Sequence, residues 1–390
     1  LRYTRNRGTV KGVSGAVYST DRLAPRLGFT LDLLGDRTTV LKAHYGQFTE
    51  AMFTSIHERL NPDSAYNDFA GFYWDGEEWV EFYRLVHENL YRMDPEIRHP
   101  YLDQYTVGLE RELFKDASLS VAYIRRHWKD LVASYDELAD YTTVSFDVPE
   151  LDTTLDVYAL VPGSEQSFVL TNVAPGDPWI PDRYYRKYEG IEVLFNKRFS
   201  NRWQALASYV LSKAWGTADN RYGSDDGWGA HDGMQTSDPN FWTNAAGRST
   251  YDPTHMVKLQ GTYVVPWAEV AVNVYFRAVS GNTWTTRFRS PRLTQGREVV
   301  FAEPRGTGRY PMQSFLDLRL EKIIKIRRKY RLGLLFDVFN AFNADTISSW
   351  GTLLNVDYFP DSDVYPETDD HKLYGIVLPR QARLGVRLMF

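Results

Sequence analysis

The last twelve residues, 379–390, constrain the fold of this chain most, because they read as a two-faced strand that runs to the final residue. Every second side chain is apolar: Ala382, Leu384, Val386, Leu388 and Phe390. The intervening positions are Gln381, Arg383, Gly385, Arg387 and Met389. Successive side chains of a strand point to opposite faces, so this spacing predicts a sheet with one apolar and one more polar face.

The same alternation recurs along the chain and predicts eleven strands, with residues 1–7 as the end of a further one. The other ten strands are 25–34, 38–47, 104–110, 119–123, 191–196, 205–211, 257–263, 272–276, 316–321 and 332–338. Short turns join them in pairs, whereas the other connections are long: 49–100, 130–184, 216–252, 281–311 and 343–378. Loops beyond about 12–15 residues are uncommon in compact domains, and this one-sided asymmetry is typical of a transmembrane β-barrel.

Composition is compatible with a barrel. Mean hydropathy is −0.43, and no apolar run approaches the roughly 20 residues that a spanning helix needs. A spanning strand needs only about 9–11 residues with alternate positions apolar, so average hydropathy stays low. Aromatic residues make up 15% of the chain, which is typical of interfacial girdles or of a ligand-binding mouth.

The two strand faces predict two environments. The polar face carries more charges than a dry core could hold, so we expect it to line a wet or protein-filled lumen. The last strand of an outer-membrane barrel ends on the periplasmic side, which makes the short turns periplasmic and the long loops extracellular. The predicted lipid-facing set is Phe29, Leu31, Val107, Leu109, Val193, Phe195, Leu318, Leu320, Leu334, Phe336, Val386 and Leu388.

The sequence offers little support for an enzyme or a cofactor site. It contains no cysteine, no His-Glu-x-x-His, no nucleophile elbow, no P-loop and no dinucleotide fingerprint. Asp317 and Glu321 could suggest a glycosidase pair, but with Arg319 between them we interpret them as a charge ladder in the lumen. The net charge of −5 argues against a nucleic-acid partner. We therefore expect no enzyme and no cofactor.

Aromatic residues in the extracellular loops are the candidate ligand contacts. Residues 69–83 place rings among carboxylates, an arrangement that suits sugar stacking or capture of a cationic peptide, although such a loop can also pack on itself. Residues 215–242 hold a second group of rings. The candidates are Tyr73, Trp74, Trp79, Trp215, Trp228 and Trp242.

Four acidic residues of the same second segment could supply oxygen ligands to Ca²⁺. They are Asp219, Asp225, Asp226 and Asp232. Their spacing does not match an EF-hand loop, and the eight histidines show no clustered ligand spacing. We therefore assign no metal site and keep calcium as an alternative for this segment.

Seven stretches, in order, carry a resemblance to a known family. They are residues 21–36, 100–113, 188–214, 249–266, 314–323, 336–343 and the terminal LPRQARLGVRLMF. Together they resemble the C-terminal half of a TonB-dependent outer-membrane receptor of the Oar-like group, whose members carry a carboxypeptidase-regulatory-like domain ahead of the plug. The resemblance implies an all-β, antiparallel barrel of 22 strands in the bacterial outer membrane, with residues 1–390 supplying about 11–12 of them as part of one domain.

The resemblance also implies what this chain does and what it contacts. The plug, the TonB box and the first barrel strands would lie upstream of Leu1. The whole receptor would take up a peptide, an oligosaccharide or a chelate, driven by the TonB–ExbB–ExbD system, with a surface lipoprotein as a further partner. Phe390, Leu388 and Val386 match the terminal signal read by the barrel-assembly machinery. Outer-membrane lipid would surround the barrel.

Two other interpretations remain open at this point. A passive porin-like or adhesin barrel would share the strand pattern but would lack a plug and a TonB box. A secreted, soluble glycan-binding β-protein would bury the apolar strand faces against a second protein layer and would partition into water. A self-closed twelve-stranded barrel that uses residues 1–7 is a further arrangement of the same strands.

Overall fold

The structure, a computed structural model, describes residues 1–50, 60–61, 68–86, 90–219, 235–326, 330–354 and 371–390. Its main feature is a twelve-stranded sheet. Eleven strands follow one another in a single antiparallel line, and the short strand Gly247–Arg248 pairs with the end of one of them. The predicted all-β, antiparallel fold is confirmed. None of the described helices is long and apolar enough for a membrane span.

Each of the eleven strands overlaps one of the eleven predicted segments, and most extend beyond it. They are β1 (Arg26–Asp32), β2 (Thr39–Thr49), β3 (Tyr101–Phe114), β4 (Ala117–Lys129), β5 (Arg186–Ser200), β6 (Trp203–Gly216), β7 (His255–Val265), β8 (Val270–Val279), β9 (Gln313–Lys325), β10 (Arg331–Phe339) and β11 (Gln381–Met389). Each strand pairs with its sequence neighbour, so the sheet is a continuous meander from β1 to β11. Within the described part of the chain these two strands are the edges of the sheet.

The register brings the predicted lipid-facing residues onto one surface. Val193 lies opposite Val121 and Tyr209, and Leu320 lies opposite Val272 and Phe336 in the same way. Nine of the twelve predicted residues are largely exposed: Phe29, Leu31, Val107, Leu109, Leu320, Leu334, Phe336, Val386 and Leu388. A broad exposed apolar belt on a sheet is typical of a surface that contacts acyl chains.

The opposite face of the sheet carries charges that pair across strands. Lys42 and Glu110 are 2.6 Å apart between β2 and β3, and Arg387 contacts Glu321 at 2.7 Å between β11 and β9. Such pairs on one face, with the apolar belt on the other, match the predicted polar lumen wall.

Short turns close the strands at the periplasmic end. Lys115 and Asp116 form the whole connection between β3 and β4, and Asn201 with Arg202 joins β5 to β6. Asp116, Asn201 and Arg202 have positive φ angles of 66°, 51° and 70°. Two successive left-handed residues, as at Asn201 and Arg202, are what a type I′ hairpin turn requires, and asparagine and aspartate tolerate this backbone best among non-glycine residues.

The N-terminal segment departs from the prediction. Arg2–Gly8 forms a strand, but it pairs with Tyr18–Ala24, which the alternation did not predict, and both lie outside the twelve-stranded sheet. Pro25 separates Tyr18–Ala24 from β1 because proline has no N–H to give to a ladder. Residues 1–7 therefore do not supply a twelfth strand of the main sheet; the short strand Gly247–Arg248 does.

The long connections fold together into an extracellular cap, defined here as the described residues of 50–100, 130–185, 217–254, 280–312 and 340–380. They contain the strands Asp68–Trp74, Trp79–Val86, Tyr91–Met93, Ala133–Asp136, Tyr141–Val148, Thr153–Leu160, Phe168–Thr171, Thr283–Trp284, Arg287–Arg289, Val299–Phe301, Gly308–Arg309, Ile347–Trp350, Leu353–Leu354 and Leu373–Ile376, besides Gly247–Arg248. Three short 3-10 helices, Pro149–Leu151, Gln235–Ser237 and Pro239–Trp242, complete them.

The buried apolar core lies in the cap. One cluster joins Val157 and Leu155 from one loop to Phe288 and Val300 from another and to Leu354 from a third. A second cluster surrounds Trp242, and a third includes Leu170 and Ile97. Loops that share cores in this way form a packed layer above the sheet, because each loop alone could not bury its apolar side chains.

Candidate functional site

An aromatic hairpin stands out in the extracellular cap. Its strands, Asp68–Trp74 and Trp79–Val86, are joined by a tight turn in which Asp75 accepts hydrogen bonds from the backbone N–H groups of Glu77 and Glu78, both at 2.8 Å. These bonds hold the pKa of Asp75 below its usual range, so the turn keeps its negative charge. Three carboxylates, those of Asp75, Glu77 and Glu78, therefore cluster at the tip.

One face of this hairpin is aromatic and open. Phe72 lies opposite Glu81 and Trp74 opposite Trp79, and opposite residues of an antiparallel pair share a face. Trp79 is 67% exposed, and its ring centroid lies 5.7 Å from that of Trp74. Exposed rings beside carboxylates can stack on a sugar or hold a cationic group. Tyr73 is exposed as well.

The second predicted aromatic group is not assembled into one site. Trp242 is buried in the cap, where its indole N–H donates to the carbonyl of Thr236 at 2.9 Å. Trp215 lies in β6, opposite Lys187 of β5, on the same face as the apolar belt. Trp228 lies outside the described residues. Their order in the sequence suggested a single loop. In the structure, Trp242 is buried inside the cap, whereas Trp215 lies on the outer face of the sheet.

The calcium alternative gains no support from the described residues. Asp219 already accepts hydrogen bonds from the backbone N–H of Thr250, at 2.8 Å, and from its hydroxyl. Asp225, Asp226 and Asp232 lie outside the described residues. Across the described ranges, no group of three or more His, Cys, Asp or Glu side chains could hold a metal ion.

A ring cluster that sequence reasoning missed joins the last two loops of the cap. Trp284 packs edge-on against Trp350 at 5.6 Å and against His371 at 5.8 Å, and Tyr310 packs against Trp350 at 4.9 Å. Nothing in the sequence spacing connects these residues, because they lie in loops that meet only above the sheet. The cluster ties the last two loops together.

The inner wall of the sheet forms a broad polar concavity of about 740 Å³. Asp337 of β10 lies in it and is bracketed by two guanidinium groups, Arg319 Nε at 2.6 Å and Arg383 Nη2 at 2.7 Å. Asp317 accepts from the backbone N–H of Asn340 at 2.8 Å. Asp337 and Asp317 are therefore paired with arginines or with a backbone N–H group, as the charge-ladder interpretation expects. They do not form the acid and base pair of a glycosidase.

Two half-buried carboxyl groups, those of Asp238 and Glu298, lie in the cap. Burial raises the pKa of Glu298 to about 8, with the charge of Asp238 as a second cause, and burial raises the pKa of Asp238 to about 6. Asp238 also caps the helix Pro239–Trp242 by accepting from the backbone N–H of Asn240. A shared proton would relieve the repulsion between two such groups.

We expect the cap to lose stability as the pH rises from about 5 to about 8. The folded state binds these protons more tightly than the unfolded state, because the folded pKa values are the raised ones, so deprotonation in this window favours unfolding. Hydrogen exchange of the cap amides, followed between pH 5 and pH 8 and corrected for intrinsic rates, measures the effect. Glu298→Gln should flatten this dependence, and an unchanged slope in that variant would contradict the assignment.

The terminal residues predicted to form the assembly signal lie on β11 and just beyond it. Val386 and Leu388 belong to the apolar belt, and Phe390 follows the last strand residue with its side chain almost fully exposed. Their recognition by the barrel-assembly machinery stays a prediction.

Known proteins resemble this chain in sequence or in structure. The TonB-dependent transporter Oar of Myxococcus xanthus is 22% identical over 287 residues, which are 69% of this chain and 24% of that protein. The outer membrane transporter YddB of Escherichia coli superposes with a TM-score of 0.50 at 11% identity, over 95% of this chain and 42% of that chain. The siderophore receptor PirA of Acinetobacter baumannii has a TM-score of 0.47 at 11% identity, over 95% and 41%.

The chain spans about a quarter of the length of Oar and less than half of YddB. The likeness to YddB reflects the fold, namely the antiparallel meander with short turns at one end and long loops at the other. The sequence pattern of the outer membrane beta barrel domain matches residues 4–287, well over half of the chain. This chain therefore belongs to the outer membrane beta barrel domain family and lies in the bacterial outer membrane.

Proposed function

We propose that this chain forms part of the barrel of a TonB-dependent receptor that takes up a ligand across the outer membrane. The main support for this proposal is that the sheet has an exposed apolar belt on one face and a charged inner wall on the other, with a packed cap above it. The transporter Oar is a sequence relative, which supports active uptake over other uses of a barrel. The ligand would be a peptide, an oligosaccharide or a chelate.

The proposal assigns energy coupling to the TonB–ExbB–ExbD system. In it, the plug and the segment that contacts TonB belong to the receptor but lie outside residues 1–390, and residues 1–390 act as one part of a single barrel domain. Uptake needs no chemistry from the protein, so we propose no catalytic residues and no cofactor.

Capture by TonB tests the proposal. The whole receptor that contains this chain, purified from outer membranes in detergent, should be retained by the immobilised periplasmic domain of TonB. A matched outer-membrane porin from the same preparation should pass through and serves as the control. Failure of retention would contradict the proposal.

A passive porin-like or adhesin barrel is the remaining alternative. A porin would show steady open conductance in a planar lipid bilayer, because its lumen is a permanent aqueous channel. A plugged receptor should conduct poorly until the plug is displaced. We no longer propose a secreted, soluble glycan-binding protein, because this chain belongs to an outer-membrane family.

Within this function we propose that the aromatic hairpin makes the first contact with the ligand. Trp74 and Trp79 offer exposed ring faces, and the carboxylates of Asp75, Glu77 and Glu78 surround them. A ligand that carries cationic groups would gain both ring contact and Coulomb attraction. A neutral sugar would use the rings alone.

We expect the double substitution Trp74→Ala and Trp79→Ala to weaken binding of a fluorescent lysine-rich decapeptide to cells that carry the protein by about tenfold. Each exposed cation–π contact contributes about 0.5–1 kcal/mol, and two such contacts give an effect of this size. Trp267→Ala is the matched control, because Trp267 is 90% exposed but lies in a periplasmic turn. Equal peptide binding by wild type and by the double variant would exclude the hairpin as a contact for cationic ligands.

A further inference from the structure

Four cations lie side by side on the outer wall of the sheet, directly above the apolar belt. They are Arg125 and Lys129 of β4, Lys187 of β5 and Lys213 of β6, named here the basic patch. Glu189 lies opposite both Arg125 and Lys213, and Lys187 lies opposite His127. In the row below, Ile191 lies opposite Tyr123 and Leu211, which belong to the belt. The patch therefore continues the lipid-facing surface and does not face the lumen.

The height of the patch corresponds to the headgroup layer. On each strand a cation occupies the first or second outward position beyond the last apolar one: Arg125 after Tyr123, Lys187 beyond Ile191, and Lys213 after Leu211. Consecutive outward positions are about 7 Å apart along a strand. A cation one or two steps above the belt therefore leaves the acyl region and reaches the polar headgroups, on the side of the extracellular cap.

Two of these cations have no carboxylate partner. Arg125 contacts Glu189 at 3.4 Å, and Lys129 contacts Asp103 at 2.7 Å. Lys187 Nζ instead lies over the ring of Tyr185 at 4.9 Å, and Lys213 Nζ lies over the ring of Trp215 at 5.1 Å. In the described ranges neither lysine contacts an Asp or a Glu. The patch thus has an excess of positive charge in a chain whose net charge is −5.

At the extracellular end of the outer wall, the excess of positive charge is confined to β4, β5 and β6. At the extracellular ends of the other eight strands of the β1 to β11 meander the outward positions carry no lysine or arginine: Leu27 on β1, Gln47 on β2, Asp103 on β3, His255 on β7, Ala278 on β8, Ser314 on β9, Val338 on β10 and Ala382 on β11. A uniform basic rim would indicate general attraction to an anionic surface. A cluster on three neighbouring strands, with a ring beside each free lysine, indicates a site.

We propose that the basic patch binds the phosphate group of a lipid headgroup in the outer leaflet. The occupant must reach the belt and the patch together, which a lipid does because its acyl chains cover Ile191 and Leu211 while its headgroup meets Lys187 and Lys213. Ammonium groups donate charge-assisted hydrogen bonds to phosphate oxygens, and two unpaired lysines can share one phosphate. Trp215 and Tyr185 pack beside them at the interface, the level that such amphipathic rings favour. The site does not depend on the proposed transport function.

Lipid retention tests this site. The whole receptor that contains this chain, placed in phosphatidylcholine nanodiscs with a small share of a diphosphorylated glucosamine lipid, should retain that lipid after transfer to detergent, counted per receptor by native mass spectrometry. The same lipid with both phosphates removed should be retained far less. In the double variant Lys187→Gln and Lys213→Gln, the preference for the phosphorylated lipid should fall by about thirtyfold, because each lysine near a membrane surface contributes about 1 kcal/mol.

The matched control is Lys258→Gln with Lys325→Gln, which removes two lysines from the inner face of β7 and β9. This variant should keep the wild-type preference, and the heat-dependent gel shift of each variant checks that it is folded. Raising the salt concentration should reduce the preference in wild type. The proposal is overturned if wild type does not distinguish the two lipids, or if both double variants lose the preference equally.

Discussion

Leu334→Arg is expected to cost about 2–4 kcal/mol of folding free energy in a lipid bilayer, because a charge would face acyl chains near the midplane. Leu334 lies in β10 between Lys322 of β9 and Val386 of β11, and its side chain is exposed on the apolar belt. The two residues opposite it include no acidic partner for an arginine, and Lys322 itself reaches the carbonyl of Ala268 in a periplasmic turn. Denaturant unfolding of the whole receptor that contains this chain, in lipid vesicles, measures the loss.

Leu335→Arg is the matched control, since it makes the same substitution one residue further along the same strand. Leu335 lies opposite Glu321 on the inner wall, where an arginine would meet water and a carboxylate. We expect this variant to lose much less stability. If both variants lost the same free energy, the two faces would not differ in environment, and the division into belt and lumen wall would be wrong.

Asp252→Ala is expected to destabilise the extracellular cap by about 3 kcal/mol, because it removes one partner of a buried charge network. Asp252 is 1% exposed and accepts a hydrogen bond from the backbone N–H of Ala214 at 2.8 Å. It also contacts the guanidinium groups of Arg248 and Arg309, the latter at 3.3 Å. Alanine would take the carboxylate away from two cations and one backbone donor, and the arginines would keep only neutral acceptors such as Thr254 Oγ1 and the Gly281 carbonyl.

Protease cleavage of the cap loops in the folded protein, together with the melting temperature in detergent, would report this loss. Glu269→Ala is a suitable control, because its ion pair with Arg202 at 3.1 Å is exposed on both sides and such pairs contribute about 0–1 kcal/mol. An Asp252→Ala protein as resistant as the Glu269→Ala protein would show that the network does not hold the loops together.

The strands could be predicted because each one must satisfy the same local condition. Leu318 and Leu320 alternate with Asp317 and Arg319. Any sheet with one apolar face and one hydrated face needs this period of two residues. The turns were visible for a similar reason, since Asn201 and Asp116 favour the backbone conformation that a tight hairpin needs. The predicted sheet and its outer-membrane location were confirmed.

The loops could not be predicted in the same way. The core that joins Val157 to Phe288 and Leu354 links residues far apart in the chain. No periodic pattern in the sequence near any of them predicts these contacts. Tyr18–Ala24 was missed because its polar residues Ser19, Asp21 and Arg22 obscure the alternation. Trp215 and Trp242 looked equivalent in sequence, yet one lies on the outer wall and the other is buried.

By itself the sequence determined which residues form the membrane strands, which face of each strand is apolar, and which ends carry the long loops. These properties depend on neighbours one or two residues away, so the spacing of apolar and polar residues along the chain is enough to predict them. Only the tertiary structure decided how the loops share their cores, how Asp252 and Arg309 meet, and that Lys187 and Lys213 stand together above the belt. Those contacts depend on strand register and on loops that meet in space, and residues distant in the chain become neighbours only after the sheet has formed.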